Sequence, residues 1–183
     1  MPGAAFFDLD RTLLSRSSSL ALAGIFRRRG LIRRRQLLKA GLAQLVFMRF
    51  GADESTVRRM AERGMAVLGG VRVDELREIV AEAMEPVLKP LVYREALELA
   101  SAHSAAGERT YIVSGALEEV VQALALELGL DGAVGSRCAI VDGVYTGRLE
   151  RALFGRAKAD ALDELAARDA LDLRTSPCER RST

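Results

Sequence analysis

The stretch AAFFDLDRTLLS, residues 4–15, is the part of the chain from which the fold can be inferred. Small and apolar residues lead directly into Asp8, and Asp10 and Thr12 follow at alternate positions. The apolar residues are continuous rather than alternating with polar ones, which is typical of a strand buried on both faces in a parallel sheet. We therefore predict a buried strand over residues 3–9 that ends in two carboxylates.

Length and composition indicate an ordinary globular protein. The 183 residues suffice for one core, or for a core with a small inserted domain. The chain is 49% hydrophobic and 28% charged, and its net charge of +2 singles out no class of partner. The longest apolar runs are too short to span a bilayer. Cys138 and Cys178 have no metal-type spacing and follow no secretory signal, so we expect free thiols and a cytoplasmic location.

The segment between the first strand and Pro90 carries helical periodicity throughout. Gly30 and Gly51 are predicted to end its first two helices, and Pro86 its fourth. Apolar residues at helical spacing in each segment predict a small helical bundle. Because this bundle follows a single strand, we interpret it as an insertion into a larger fold.

Strands and helices alternate after Pro90. Residues 109–115, RTYIVSG, form a β-rich segment that is followed by a helix, and the dipeptide Asp142-Gly143 predicts a β-hairpin. A last helix runs to about residue 170. This alternation on both sides of a helical insertion predicts an α/β fold with a parallel sheet. We expect residues 170–173 to begin another strand.

Four polar residues lie where they would meet at one edge of such a sheet, since ligands of open α/β sheets bind beyond the carboxyl ends of the strands. Asp8 and Asp10 end the first strand, Ser114 ends the second, and Lys158 lies in the first turn of the last helix. Carboxylates bind Mg²⁺, attack phosphorus and transfer protons. A hydroxyl and a lysine suit phosphoryl oxygens.

Each of these residues also has an ordinary structural interpretation. Two aspartates after a strand equally suit a loop or a helix cap, and Ser114 alone suits a helix N-cap. Lys158 alone suits a solvated helix surface. The prediction of a site depends on their common order and context along the chain.

Three segments resemble the motifs of the haloacid dehalogenase-like hydrolases: FFDLDRTLL the first, TYIVSG the second and GRAKADAL the third. The helical insertion and the hairpin IVDGVYTGRL resemble the phosphoserine phosphatase-like subgroup, subfamily IB. The resemblance implies a Rossmann-like α/β core with a parallel sheet over residues 1–14 and 88–173. It further implies an all-helical cap of the C1 type over residues 15–87 and leaves an irregular tail over residues 174–183.

The resemblance also implies roles for individual residues. Asp8 would be the nucleophile and a Mg²⁺ ligand, and Asp10 the general acid/base whose backbone carbonyl also binds Mg²⁺. The implied function is a Mg²⁺-dependent phosphatase that acts on a small phosphorylated metabolite through an aspartyl-phosphate. Four further residues would hold the phosphoryl group: Thr12, Ser114, Gly115 and Lys158.

Two features depart from the family pattern. No strand followed by an acidic turn comes after Lys158, so we expect a C-terminally truncated core that lacks a further carboxylate ligand and exposes the first strand as a sheet edge. The segment LSRSSSLALAGIF, residues 14–26, lacks the acidic residue that would recognise an amino-acid substrate, so phosphoserine is not favoured.

The segment FRRRGLIRRR, residues 26–35, concentrates six arginines between predicted helices. It suits a solvated corner of the cap, or a surface that contacts an anionic membrane through Arg27–Arg35. Nucleic acid is not expected, because Phe26 is the one aromatic residue among the arginines. The alternative function is therefore that of a catalytically inactive relative that binds an anionic ligand or a membrane surface.

Overall fold

The sheet consists of four strands and a fifth of two residues. The computed structural model describes residues 3–31, 54–171 and 178–179 of the chain. The strands are β1 (Ala4–Phe7), β2 (Arg109–Leu117), β3 (Gly132–Val141), β4 (Val144–Arg151) and β5 (Cys178–Glu179). Their order is β4-β3-β2-β1-β5; β4 runs antiparallel to β3, and the other neighbours are parallel. The predicted α/β fold with a mainly parallel sheet is confirmed.

The helices of the described residues lie between β1 and β5 along the chain. They are α1 (Ser18–Arg28), α2 (Glu54–Met65), α3 (Val73–Ala83), α4 (Arg94–Ala105), α5 (Glu118–Glu127) and α6 (Arg156–Asp169). Short 3₁₀ turns cover Ala66–Leu68 and Lys89–Leu91, and a π-helical turn covers Met84–Leu88. No helix in the described ranges is long and apolar enough to cross a membrane.

The described part of the insertion is helical, as its periodicity predicts. The helix predicted between Gly30 and Gly51 lies outside the described residues. The helix expected to stop at Pro86 ends three residues earlier, and the chain continues through the π-helical turn. Proline has no backbone N–H for a regular α-helical bond, which explains the change of helix type. The domain boundaries given above stay a prediction.

Alternate residues of β1 contribute to two separate hydrophobic clusters. Ala5 and Phe7 belong to the cluster that also contains residues of α4, α5 and the insertion. Ala4 and Phe6 belong to the cluster formed with α6. All four are at most 4% exposed, so the continuous apolar run of the sequence corresponds to a strand buried on both faces.

The hairpin predicted at Asp142-Gly143 connects β3 and β4, and both turn residues have positive φ angles of 50° and 74°. The insertion is bonded to this hairpin through its backbone. Gly70 N–H donates to the carbonyl of Tyr145 at 2.9 Å, and Tyr145 N–H donates to the carbonyl of Val71 at 2.9 Å. The segment that precedes α3 therefore lies along the outer edge of β4.

The C-terminal region differs from the expectation at two places. Ala170 adopts a left-handed conformation that ends α6, and neither Ala170 nor Leu171, which packs against the β1–α6 cluster, is in a strand; residues 172–173 of the expected strand lie outside the described residues. Cys178 and Glu179 pair with Phe6 and Phe7, so the tail is not irregular there and β1 is not a bare sheet edge at those residues. This short strand pairs through its backbone and lies in a segment without large apolar residues. It therefore could not be predicted from the sequence pattern.

A partly buried pair of a carboxylate and a phenol, Asp169 and Tyr111, connects α6 to β2. The Tyr111 hydroxyl donates to Asp169 Oδ2 at 2.6 Å, and Arg168 pairs with the same carboxylate at 2.9 Å. The Arg168 guanidinium, followed by the Tyr111 hydroxyl, lowers the pKa of Asp169 to about 2. Burial, followed by the bond to Asp169, raises the pKa of Tyr111 to about 12.

Because of this arrangement, part of the free energy of unfolding varies with pH in the acid range. Because the pKa of Asp169 is lower in the folded chain than the usual value of about 3.9, its carboxylate stabilises the fold above about pH 4 and ceases to do so as the pH falls towards about 2. We expect Asp169→Asn to lower the free energy of unfolding in urea near neutral pH. The difference from the wild type should shrink in acid. Asp163→Asn, on the exposed surface of the same helix, is the control, and a pH-independent difference for Asp169→Asn would contradict the prediction.

Candidate active site

The loop after β1 is fixed by backbone hydrogen bonds and by burial of its leucines. Leu13 N–H donates to the carbonyls of Asp8 and Leu9 at 3.3 and 3.1 Å, and Leu14 N–H donates to Leu9 at 2.9 Å. These three leucines are fully buried. Arg11 adopts a positive φ of 65°, which lets the chain reverse within a few residues. The loop thereby holds Asp8 and Asp10 at the carboxyl end of β1.

Asp8 is joined to Lys158 across 150 residues of sequence. Lys158 Nζ donates to Asp8 Oδ1 at 2.8 Å, with the lysine side chain 29% and the aspartate side chain 31% exposed. Lys158 projects from the first turn of α6, whose N-cap is Gly155. The carboxylate and the ammonium group therefore meet in a partly exposed position that a substrate can reach.

Asp10 contacts the first helix of the insertion. Its Oδ1 accepts a hydrogen bond from the backbone N–H of Ser18 at 2.9 Å, at the start of α1. Ser17, the N-cap residue by position, makes no side-chain capping bond. The helix-cap interpretation of the aspartate pair thus holds for Asp10, which caps α1 from eight residues away in the sequence.

Ser114 and Gly115 lie within the neighbouring strand β2, which continues to Leu117, so the prediction that Ser114 ends this strand is wrong. Phe7 pairs with Ile112, so Asp8 lies one residue and Ser114 two residues beyond that pair, at the same end of the sheet. Ser114 is 3% exposed, and its Oγ accepts the N–H of Ala116 at 3.2 Å. Its hydroxyl therefore bonds to the backbone within β2, in the stretch between Val113 and Leu117 where the register with β3 shifts.

Two of the predicted site residues are joined by a side-chain hydrogen bond, whereas the others only lie at the same end of the sheet. In the described part of the chain, Asp8 and Lys158 are the one predicted pair with a side-chain contact. Thr12 is partly buried, and its backbone N–H donates to the carbonyl of Leu9 at 3.3 Å. The catalytic and binding roles of all six residues stay predictions.

Two residues that the sequence does not single out connect the parts of this site. Ser136 on β3 donates its hydroxyl to the carbonyl of Gly115 at 2.9 Å and accepts the N–H of Leu153 at 3.0 Å. Phe154 packs its ring against Gly115. A single serine and a single phenylalanine lie in no motif or periodic pattern, so no sequence signal identifies them.

Comparison with known proteins decides the family. The family model described as haloacid dehalogenase-like hydrolase matches residues 5–178. The chain belongs to the haloacid dehalogenase-like hydrolases. The resemblance of its three motifs to that family is therefore confirmed over nearly the whole chain.

Curated members of the family are longer than this chain. A Streptomyces azureus protein named inhibition of morphological differentiation protein is 40% identical over 171 residues, which are 93% of this chain and 62% of that protein. A probable phosphatase of Mycobacterium tuberculosis is 39% identical, over 93% of this chain and 59% of its own length. A phosphoserine phosphatase of the same organism is 31% identical, over 95% of this chain and 57% of its own length. The chain spans about six-tenths of the length of these relatives.

Solved structures share the fold. A protein of unknown function from Bordetella pertussis Tohama I superposes with a TM-score of 0.80 at 24% identity, covering 96% of this chain and 79% of that one. A phospho-aspartyl intermediate analogue of phosphoserine phosphatase superposes with a TM-score of 0.64 at 19% identity, covering 96% and 76%. The expected haloacid dehalogenase-like architecture is confirmed.

The residues of this haloacid dehalogenase-like hydrolase fit a magnesium ion by the chemistry of their donors. Asp8 and Asp10 supply hard oxygen atoms, and Mg²⁺ is bound in proteins by one or two carboxylates that water and phosphate oxygens supplement. Asp8 Oδ2 makes no hydrogen bond to any described residue, whereas Oδ1 is bound by Lys158. No cluster of three or more His, Cys, Asp or Glu side chains suited to a metal occurs in the described ranges.

The bond from Ser18 to Asp10 leads to a prediction about stability. Asp10→Ala removes the acceptor at the N-terminus of α1, so we expect the free energy of unfolding to fall by about 1 kcal/mol. Asp10→Asn keeps a carbonyl oxygen at that position, so the loss should be smaller. Urea unfolding followed by circular dichroism measures both. Equal losses in the two variants would show that the oxygen does not cap α1.

Proposed function

We propose that this protein is a Mg²⁺-dependent phosphomonoester hydrolase that acts through an aspartyl-phosphate on Asp8. The observation that carries the proposal is the 2.8 Å contact between Asp8 and Lys158, because it joins a carboxylate at the end of a strand to a fixed positive charge. Membership of a hydrolase family and the relative named as a probable phosphatase support the proposal.

The first step is an attack of an Asp8 carboxylate oxygen on the phosphorus of the substrate. A bond forms between that oxygen and phosphorus, and the bond from phosphorus to the substrate oxygen breaks. Asp10 in its protonated form donates its proton to the departing oxygen, so that an alcohol leaves. Lys158 supplies positive charge beside Asp8, which offsets charge on the transferring phosphoryl group.

The second step returns the enzyme to its starting state. Asp10, now a carboxylate, accepts a proton from water as the water oxygen attacks phosphorus, and the bond from phosphorus to Asp8 breaks to release inorganic phosphate. The backbone N–H of Ser18 bonds to Asp10 Oδ1, so Oδ2 is the oxygen that would carry the proton in both transfers. A magnesium ion held by the Asp8 carboxylate and the Asp10 carbonyl would supply positive charge to the phosphoryl oxygens when bound.

The residues near the loop limit the class of substrate. One relative carries the name phosphoserine phosphatase, and phosphoserine contains an ammonium group that needs an acidic partner. Residues 11–31 contain no Asp or Glu, and the first turn of α1 has no acidic side chain. We therefore infer a small phosphorylated metabolite without a cationic amine, acted on in the cytoplasm.

The membrane-surface alternative receives less support. Arg27 and Arg28 are exposed in the last turn of α1, where positive charge stabilises the helix dipole, and Arg29 pairs with Glu82 of α3. Residues 32–35 lie outside the described residues. Binding to anionic vesicles that is lost when Arg27–Arg29 are neutralised, from a protein without phosphatase activity, would favour this alternative.

Hydrolysis of p-nitrophenyl phosphate tests the proposed chemistry. We expect Mg²⁺-dependent turnover that Asp8→Asn lowers by at least about 1,000-fold, because the nucleophile is removed. Lys158→Ala should lower kcat by about 100-fold through loss of charge stabilisation. Asp160→Asn, an exposed residue of the same helix, is the control and should retain activity.

Two results would contradict the proposal. Turnover that persists in Asp8→Asn would exclude this aspartate as the nucleophile. A folded wild type without turnover, with or without Mg²⁺, would favour the non-catalytic alternative. A phosphorylated intermediate trapped by acid quenching in the wild type but absent from Asp8→Asn would support the covalent step directly.

A further inference from the structure

The ring of Phe154 occupies the space beside Gly115 where any other residue would carry its side chain. A Cβ atom built on Gly115 would lie 2.2 Å from Phe154 Cε1 and 2.7 Å from Cζ. Gly115 is not among the residues with positive φ, so the requirement for glycine is steric. Phe154 itself is partly exposed. The ring of Phe154 and the backbone of Gly115 are therefore in direct contact within β2.

Ser136 makes a second connection between the same two segments. It is completely buried, with its hydroxyl donating to the carbonyl of Gly115 at 2.9 Å. The same oxygen accepts the N–H of Leu153 at 3.0 Å. The hydroxyl thus donates one hydrogen bond and accepts another between two backbone segments, both of which pair or pack with other parts of the sheet.

These contacts join the segments that carry three of the residues expected to hold the phosphoryl group, namely Ser114, Gly115 and Lys158. Gly115 directly follows Ser114, and Phe154 precedes Lys158 by four residues. Gly155, with a φ of 53°, connects Phe154 to α6. We name the unit formed by Gly115, Ser136, Phe154 and the N–H of Leu153 the Gly115 clamp.

We propose that the Gly115 clamp sets the position of Ser114 and Gly115 in β2 relative to Lys158, which makes Ser136 and Phe154 positioning residues of the phosphoryl site. The proposal rests on the function proposed above for that site. Neither residue needs to touch the substrate. Ser136 acts by its two hydrogen bonds, and Phe154 by the fit of its ring against Gly115.

The position of these groups matters because they belong to different elements. Ser114 is carried by β2, whereas Lys158 is carried by α6, which packs on one face of the sheet through Ala161 and Leu165. A displacement of about 1 Å in such a group costs up to about 100-fold in rate. Residues that fix the position of the site residues therefore contribute to catalysis without contacting the reacting atoms.

Ser136→Ala tests the hydrogen-bonded half of the clamp. We expect kcat for p-nitrophenyl phosphate to fall by about 10- to 100-fold, and the dissociation constant for inorganic phosphate to rise by about 10-fold. Thr110→Val is the matched control, because Thr110 is also a buried hydroxyl residue and bonds Asp131 at the opposite end of β2. It should lower thermal stability and leave kcat unchanged.

A double-variant experiment tests the steric half. Gly115→Ala should lower kcat by about 10-fold or more, since the new methyl group displaces the ring or the β2 backbone, and Phe154→Ala should also lower it. Gly115→Ala combined with Phe154→Ala should be no slower than Gly115→Ala alone, because the clash is gone. Gly132→Ala is the control glycine, because its Cβ would approach Tyr111 no closer than 3.4 Å.

The outcomes separate positioning from simple packing. Clamp variants that lose thermal stability but keep the kcat and phosphate affinity of the wild type would overturn the proposal, as would effects of Gly115→Ala and Phe154→Ala that multiply. A wild type that binds phosphate without turnover would contradict the proposed hydrolysis and still test the clamp through phosphate affinity. A wild type that neither turns over nor binds phosphate would overturn both proposals.

Discussion

Burial of β1 on both faces is the constraint on which the rest of the fold depends. Phe6 and Phe7 point to opposite sides of the sheet, and burying each ring contributes about 1.5–3 kcal/mol relative to an exposed ring. One layer must therefore come from α6 and the other from α4, α5 and the insertion. The layer on the Phe6 side carries Lys158 towards the end of β1. The same packing that stabilises the strand thus delivers the ammonium group to Asp8.

The part of the site that the sequence predicts is the part that follows from this topology. Parallel strands end at one edge of a sheet, so Asp8, Ser114 and the start of the last helix can be placed together from their order along the chain. The contact between Asp8 and Lys158 agrees with that expectation at the level of single atoms. The hairpin at Asp142-Gly143 was equally predictable, because its turn type requires residues that tolerate positive φ.

The remaining features depend on backbone groups or on close packing, which leave little trace in a sequence. Asp10 caps α1 in place of Ser17, and local capping rules do not extend over eight residues. Ser136 bonds to two backbone segments that are far apart in the chain. Glycine is required at position 115 because the ring of Phe154, 39 positions later, occupies the space of a side chain there. β5 pairs through backbone groups, and it was not predicted because its segment has no large apolar residues.

The backbone bonds between the insertion and β4 have a consequence for how the molecule can be divided. Gly70 and Val71 bond to Tyr145, and Val73 N–H donates to the carbonyl of Gly143 at 3.0 Å, so the segment before α3 covers an edge of the sheet. Bare edges of this kind recruit strands from other molecules. Excision of the helical segment to obtain a minimal α/β unit would uncover β4 and promote self-association. The insertion therefore shields this edge of the sheet from pairing with strands of other molecules.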